Sequence, residues 1–345
     1  MNHLNRRFLT AWLFTLNVTI LVTQIRRGTF MSLKKLIITD KSSVYVEVVN
    51  YGARLHHLGK HAGHNVVVSP AKVAHYLSDK NWMGATIGPR AHLLRDGLFQ
   101  RHGEKFYYDR NFQGHHLHGG RNGFHCHYWQ VEKHTDNVLQ LGLTLKESGR
   151  FTIQYRISKN TLSITYQAKV ATPTLINITN HAYFNLSTED RIYQHCIKID
   201  SPAVVETDDK NLPLPTSSLV ADSILDLQKP RSLNSLANIN INSELQKTQG
   251  YNHCYLLNKN SATAAEISHP DVNWRLQIKT SRPAIHLFTA NNHRALLKTK
   301  PWRHSSLCLE PVYPISDYLL GDAALSLTHP QRDYCETDSY QFIAF

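Results

Sequence analysis

The sequence predicts an antiparallel all-β fold in which each strand buries one face. Apolar and polar residues alternate through four segments, at residues 139–145, 151–157, 162–170 and 274–278. Successive side chains of a strand point to opposite faces of its sheet, so this period of two indicates half-buried strands. After residue 33 the chain has no long segment with the period of 3.6 that an amphipathic helix requires. Sheets with one buried face are commonly antiparallel.

Each of the four segments carries the pattern in its own residues. Leucine occupies every second position of the first segment, and a mixture of aliphatic and aromatic residues does so in the other three. The alternating apolar residues are Leu139, Leu141, Leu143 and Leu145, then Phe151, Ile153, Tyr155 and Ile157, then Leu162, Ile164, Tyr166, Ala168 and Val170, and finally Trp274, Leu276 and Ile278. The short gap Glu147-Ser148-Gly149-Arg150 predicts a hairpin turn between the first two strands.

Length and composition favour a single domain over residues 31–345. All-β sandwiches often exceed the usual size of one domain, and a hydrophobic content of 41% can supply a large core. No internal repeat or low-complexity linker divides the chain. Residues 201–242 are rich in Asn, Ser, Pro and Asp, which predicts long loops with short strands or turns inserted rather than a domain boundary.

The first 30 residues differ from the rest of the chain. An apolar stretch at residues 8–23 lies between arginine pairs at 6–7 and 26–27, as in a signal or anchor sequence. It is short for a membrane span, which needs about 20 apolar residues. An over-extended start with the true start at Met31 is the other interpretation. We expect a cytoplasmic protein, or a periplasmic, secreted or membrane-anchored one if residues 1–30 are genuine.

Cysteine and charge content restrict the class of protein. The five cysteines are widely spaced, odd in number and without a CxxC pair, so they do not form a disulfide framework, and they fit a reducing compartment. The formal net charge of +12 would suit nucleic acid. However, Lys and Arg are scattered, and neither a recognition helix nor an RNP-like strand is evident. A basic surface without a nucleic-acid partner is therefore the favoured interpretation.

Histidine is abundant, so a lone histidine carries little information. The clusters at 115–118 and 125–127 contain suitable metal ligands, but adjacent strand residues point to opposite faces, so we expect no metal site there. His181 lies between Asn180 and an aromatic pair at 183–184. Glu310 follows apolar residues and precedes a proline. A sugar site needs flat apolar walls with a few polar groups. A core histidine and a solvated edge carboxylate are the alternative interpretations.

Seven short motifs resemble those of the aldose 1-epimerase (galactose mutarotase) family, in the order in which the family has them. Together they span nearly the whole chain, from about residue 33 to residue 345. The motifs are Asn50-Tyr51-Gly52-Ala53, Gly84-Ala85-Thr86-Ile87-Gly88, Leu117-His118-Gly119-Gly120, Gly123-Phe124, Thr179-Asn180-His181-Ala182-Tyr183-Phe184-Asn185-Leu186, Gly250-Tyr251-Asn252-His253 and Leu309-Glu310-Pro311.

The resemblance implies a fold, an activity and a set of site residues. The fold would be the large antiparallel β-sandwich of that family, the galactose mutarotase-like supersandwich. His181 would be the catalytic acid and Glu310 the catalytic base for interconverting the α and β anomers of a free hexose. The implied substrate-binding residues are His118, Asn252, His92 and His286. Such a reaction requires neither metal nor cofactor, and its partner is a monosaccharide bound by a monomer or homodimer.

The chain also departs from the family's pattern. Leu93 replaces an arginine that would offer a charged fork to sugar hydroxyls. Asn252 replaces a substrate-binding aspartate, and His286 stands where a glutamine is common. These changes keep open a catalytically weak carbohydrate-binding relative. The positive charge keeps open a hexose-phosphate epimerase.

Overall fold

The computed structural model describes residues 31–40, 44–101, 104–259, 261–291, 303–314 and 327–345. The N-terminal extension, on which the signal or anchor prediction falls, lies outside these residues. Within them, no helix combines the length and apolar character that a membrane span needs.

Strands dominate the described chain, and most are short. The first twelve are β1 (Lys35–Thr39), β2 (Tyr45–Val49), β3 (Arg54–Gly59), β4 (Thr86–Ile87), β5 (Leu93–Leu94), β6 (Leu98–Arg101), β7 (Glu104–Tyr107), β8 (His116–Leu117), β9 (Gln130–His134), β10 (Val138–Leu145), β11 (Gly149–Ser158) and β12 (Thr161–Val170). The rest are β13 (Thr174–Leu175), β14 (Thr179–Asn180), β15 (Cys196–Ile199), β16 (Ala203–Thr207), β17 (Pro213–Leu219), β18 (Arg231–Ser232), β19 (Asn252–Leu256), β20 (Ala265–Ser268), β21 (Trp274–Thr280), β22 (Ala284–Phe288), β23 (Cys308–Val312), β24 (Leu327–Thr328) and β25 (Tyr334–Ala344).

In the part of the chain that the structure describes, helical structure is limited to short pieces. The α-helix α1 (Ser243–Thr248) begins after Asn242, whose side chain accepts hydrogen bonds from two backbone amides of the first turn. The 3₁₀ segments are Val73–Ser78, Arg95–Gly97, Phe124–Cys126 and Leu233–Ile241.

Two antiparallel sheets form the body of the fold. The larger has nine strands in the order β18-β15-β20-β21-β25-β12-β11-β10-β9, and the smaller has five in the order β17-β16-β19-β22-β23. All four strands predicted from alternation are present as β10, β11, β12 and β21. The predicted hairpin is also confirmed, since Leu145 pairs with Gly149 across a tight turn. Together these findings confirm the all-β prediction.

The main hydrophobic core takes one face from each large sheet. In β11 the alternating residues Phe151, Ile153, Tyr155 and Ile157 are fully buried. Ile285 and Leu287 of β22 and Leu309 of β23 belong to the same core cluster. Burying a side chain of this size contributes about 1.5–3 kcal/mol relative to leaving it exposed. Because side chains alternate along a strand, the neighbours of these three residues point away from the core.

The polar segment at residues 201–242 packs against this body. It contributes β16, β17 and β18 and the 3₁₀ segment Leu233–Ile241, joined by turns. Leu233 and Leu236 pack into the main core, so the segment contains short inserted elements, as predicted.

Candidate active site

The site lies on the face of the five-stranded sheet that points away from the core. In the antiparallel register, His286 of β22 pairs with Cys254 of β19 on one side and with Glu310 of β23 on the other. Asn252 and Cys308 lie one pleat further along the same face, on either side of Phe288. The alternation that sends Leu287 and Leu309 into the core therefore sends His286 and Glu310 to the site.

A short strand brings His181 to this face. Strand β14 pairs with β4, and the His181 amide continues the contact by donating to the Ala85 carbonyl at 2.8 Å. The Asn180 side-chain amide donates to the Gly84 carbonyl at 2.9 Å. Behind β14, the buried guanidinium of Arg282 donates to the Ile178 carbonyl. These hydrogen bonds fix the backbone on both sides of the strand.

His181 and Glu310 form a close, buried pair. Nε2 of His181 lies 3.7 Å from Oε1 of Glu310, and the two side chains are only 5% and 2% exposed. Burial raises the pKa of the Glu310 carboxyl to about 8, because a carboxylate loses its hydration there. Its Oε2 atom is buried without a hydrogen-bond partner. Such a carboxyl is available for proton exchange near neutral pH.

Two further histidines are placed by the pairing of β5 with β8. Leu93 pairs with Leu117, which sets His92 beside His118. The His92 amide donates to Nδ1 of His118 at 3.4 Å, so the neutral His118 ring carries its proton on Nε2. The rings of His118 and His181 are 5.3 Å apart. His118 therefore lies beside the buried pair as a hydrogen-bond donor.

His286 and Asn252 form a neutral hydrogen-bonded pair. Nε2 of His286 lies 2.9 Å from Oδ1 of Asn252, and the His92 ring meets the His286 ring edge-on at 4.4 Å. Burial lowers the pKa of His92 to about 3, and it lowers the pKa values of His118 and His286 well below the usual value. Because an amide oxygen can only accept, the neutral His286 ring carries its proton on Nε2 and donates it to Oδ1 of Asn252. The Asn252 amide group is left with its two donors for another partner.

Trp82 is a site residue that the sequence analysis missed. Its ring centroid lies 4.8 Å from that of His118 and 6.3 Å from that of His181, nearly parallel to the latter. Trp82, His92 and His118 all have positive φ, at 54°, 71° and 52°. Bulky residues seldom adopt this conformation, and such strain concentrates at functional sites. The position of Trp82 two residues before the Gly84 motif was the available sequence signal.

At position 93, where the resemblance to the family implies an arginine, this chain has a leucine. Leu93 is partly exposed. Arg90 is buried, and its Nη1 donates to the His92 carbonyl at 3.3 Å, so it supports the backbone of the site.

Of the histidines in the two sequence clusters, His116 and His127 make local contacts, whereas His118 belongs to the site. Nδ1 of His116 lies 3.0 Å from Oδ1 of Asp109, and Nε2 of His127 lies 3.1 Å from the Asn122 carbonyl. By contrast, one ligand-type atom each from His118, His181 and Glu310 lies within 4.8 Å of the others, close enough to hold a metal ion. A metal ion bound at Nε2 of His118 would need Nδ1 of the same ring to be a hydrogen-bond donor. In this structure Nδ1 instead accepts a hydrogen bond from the His92 amide, which opposes metal binding through Nε2.

Comparisons with known proteins agree with one another. The family model described as aldose 1-epimerase matches residues 34–319. A galactose mutarotase of Mus musculus is 27% identical over 294 residues, covering 81% of this chain and 84% of its own. An aldose 1-epimerase of Escherichia coli K12 is 26% identical, covering 78% and 82%.

Solved structures share the fold. A galactose 1-epimerase from Lactobacillus acidophilus superposes with a TM-score of 0.81 at 24% identity, covering 94% of this chain and 98% of its own. A GalM/aldose epimerase homologue from C. elegans gives 0.79 at 22% identity, covering 91% and 99%.

Proposed function

The chain belongs to the aldose 1-epimerase family of isomerases, and we propose that it interconverts the α and β anomers of a free hexose through His181 and Glu310. The observation that carries this proposal is the 3.7 Å contact between these two buried side chains. One is an imidazole, which can act as an acid, and the other is a carboxyl group, which can act as a base. Mutarotation needs a base at the anomeric hydroxyl and an acid at the ring oxygen.

The pair can perform ring opening by two proton transfers. The Glu310 carboxylate takes the proton of the anomeric hydroxyl while Nε2 of the His181 imidazolium gives a proton to the ring oxygen. The bond between C1 and the ring oxygen breaks, and an open aldehyde forms. Rotation about the C1–C2 bond presents the other face of the aldehyde. The same two transfers in reverse close the ring and restore both side chains, so no net proton is consumed and neither metal nor cofactor is required.

The surrounding residues are proposed to hold the sugar. His118 offers Nε2–H, and Asn252, fixed by His286, offers its amide hydrogens to sugar oxygens. The Trp82 ring offers a flat apolar surface beside His118 and His181. His92 supports the wall through its contacts with His118 and His286. This arrangement is neutral and suits an uncharged monosaccharide.

The pH dependence of the reaction is expected to follow Glu310. The base acts as the carboxylate, so kcat/KM should fall as pH falls through about 8, roughly tenfold per unit below the pKa. His92, His118 and His286 have lowered pKa values, so they stay neutral over this range. Initial mutarotation rates in a series of buffers measure the profile. A rate that stays constant from two units below that pKa to one unit above it would contradict the role of Glu310.

The altered binding residues are expected to weaken affinity for common hexoses. Each lost charged hydrogen bond should cost roughly 1–3 kcal/mol of binding, so the KM for glucose and galactose should be high. Asn252→Asp should lower KM, because the carboxylate accepts from His286 with one oxygen and from a sugar hydroxyl with the other. Leu93→Arg should lower it further. Asn234→Asp, at an exposed position, is the matched control. If both restorations leave KM unchanged or raise it, the site is specialised for another ligand.

Polarimetry tests the proposed function directly. The optical rotation of freshly dissolved α-D-glucose or α-D-galactose reaches its equilibrium value faster in the presence of an active epimerase. A protein that binds these sugars without changing the rate would instead be the catalytically weak relative. A protein that accelerates the mutarotation of glucose 6-phosphate, but not that of glucose or galactose, would be a hexose-phosphate epimerase.

A further inference from the structure

Behind the catalytic pair, the strand that carries Glu310 also carries the buried cysteine Cys308. The two residues are two positions apart in β23, so their side chains point to the same face. Sγ of Cys308 lies 3.5 Å from Nδ1 of His181, and Oε1 of Glu310 lies 3.7 Å from Nε2 of the same ring. One strand therefore contacts both nitrogen atoms of the imidazole.

Tyr183 gives the thiol a direction. The Tyr183 hydroxyl donates to the Asn81 carbonyl at 3.0 Å, and Tyr183 and Cys308 belong to the same buried cluster. Because the hydroxyl hydrogen is used by Asn81, the Tyr183 oxygen can act only as an acceptor towards the thiol. The sulfur of Cys308 then remains as an acceptor for an N–H group on Nδ1 of His181.

The thiol also stays uncharged. Burial, together with the nearby Glu310 carboxylate, raises the pKa of the Cys308 thiol well above its usual value. A neutral sulfur is a weak acceptor. It can orient the ring without making it strongly basic, whereas a carboxylate in this position would stabilise the imidazolium and make it a weaker acid.

We propose that Cys308 is a positioning residue that keeps a proton on Nδ1 of His181, so that Nε2 alone exchanges a proton with the substrate. This inference rests on the proposed function of His181 and Glu310. After His181 gives its Nε2 proton to the ring oxygen, the neutral ring keeps Nδ1–H pointed at sulfur. The lone pair on Nε2 then faces the open sugar and can take the proton back.

Packing alone is the competing role for Cys308. The side chain belongs to a small apolar cluster with Tyr183, Met83 and Ala290, so its removal would cost stability in any case. Only a positioning role changes the tautomer of His181 and the chemical step. The test therefore needs measurements that packing would not move.

The kinetic test compares three variants by polarimetry. Cys308→Ala should lower kcat by about tenfold or more with little change in KM, because a misplaced catalytic group slows the chemical step. Cys308→Ser keeps a neutral acceptor and should recover most of the loss. Cys196→Ala, in β15 of the other sheet, is the matched control and should behave as wild type. Wild-type kcat in a folded Cys308→Ala protein would overturn the proposal.

A spectroscopic test does not depend on activity. In protein labelled with ¹⁵N-histidine, the His181 ring signals are those that disappear in His181→Ala. At alkaline pH, where imidazoles are neutral, they should show a proton on Nδ1 in the wild type and a shift towards Nε2–H in Cys308→Ala. An unchanged tautomer would refute the role of Cys308, even in an active enzyme. A Cys308-dependent tautomer in a protein inactive on every aldose would support that role and refute the proposed function alone.

Discussion

His181→Ala and Glu310→Gln are each expected to lower kcat by roughly 10²–10⁴-fold, the contribution of a positioned general acid or base. The first removes the proton donor to the ring oxygen, and the second removes the acceptor for the anomeric proton. Sugar binding should fall less, because the groups proposed to hold the sugar remain in place. Polarimetric rates at saturating and limiting sugar give kcat and KM separately. Wild-type turnover in either folded variant would refute the assignment.

Two controls make this result interpretable. His61→Ala and Glu147→Gln change the same residue types at exposed positions and should leave kcat unchanged. Glu310→Gln should also unfold at a temperature no lower than wild type at pH values near the Glu310 pKa. The folded-state pKa of Glu310 is raised, so wild-type stability is lost as pH rises from the unfolded value towards about 8. The amide does not ionise and avoids that loss.

Asp338→Ala is expected to lower the free energy of unfolding by about 3–5 kcal/mol, because it leaves a buried guanidinium without its partner. Asp338 and Arg282 form a salt bridge with both side chains fully buried, and the Thr280 hydroxyl donates to the same carboxylate at 2.8 Å. Arg282 also donates to the Ile178 carbonyl, three residues before His181. The variant should therefore lose activity as well as stability. Urea denaturation followed by fluorescence measures the first effect.

An exposed pair provides the comparison for this variant. Asp333 lies 3.4 Å from Lys169, with the side chains 61% and 74% exposed. Asp333→Ala should cost less than about 1 kcal/mol, because water screens such pairs. Equal losses in the two variants would show that burial of the Asp338 pair does not determine its contribution.

The long strands were predictable from sequence because each repeats its period several times. Strand β11 carries four buried residues in strict alternation, and nothing but a strand explains that pattern. The two-residue strands β4, β5, β8 and β14 show no period, yet they place His92, His118 and His181. Their pairings join segments far apart in sequence, so only the folded chain reveals them.

Some of the site residues could be predicted from the sequence, and others are revealed only by the fold. His181 and Glu310 were found through motifs that resemble a known family, and the structure brings them within 3.7 Å of one another. The hydrogen bond from His286 to Asn252 could not be predicted, because it requires the register of β19 against β22. The sequence does not distinguish Cys308 from the other four cysteines, which are as widely spaced. Its proposed role depends on the pleat of β23, which places its side chain on the same face as Glu310 and next to Nδ1 of His181.

Exchange NMR on an equilibrated solution of D-galactose tests the central claim most directly. Magnetisation transferred between the α and β anomeric protons reports interconversion itself, without a coupled enzyme or an added cofactor. With the wild-type protein, transfer should be much faster than in buffer and should return to near the buffer rate with Glu310→Gln. If the wild-type protein leaves transfer at the buffer rate for galactose and glucose alike, His181 and Glu310 do not catalyse anomer exchange of these hexoses.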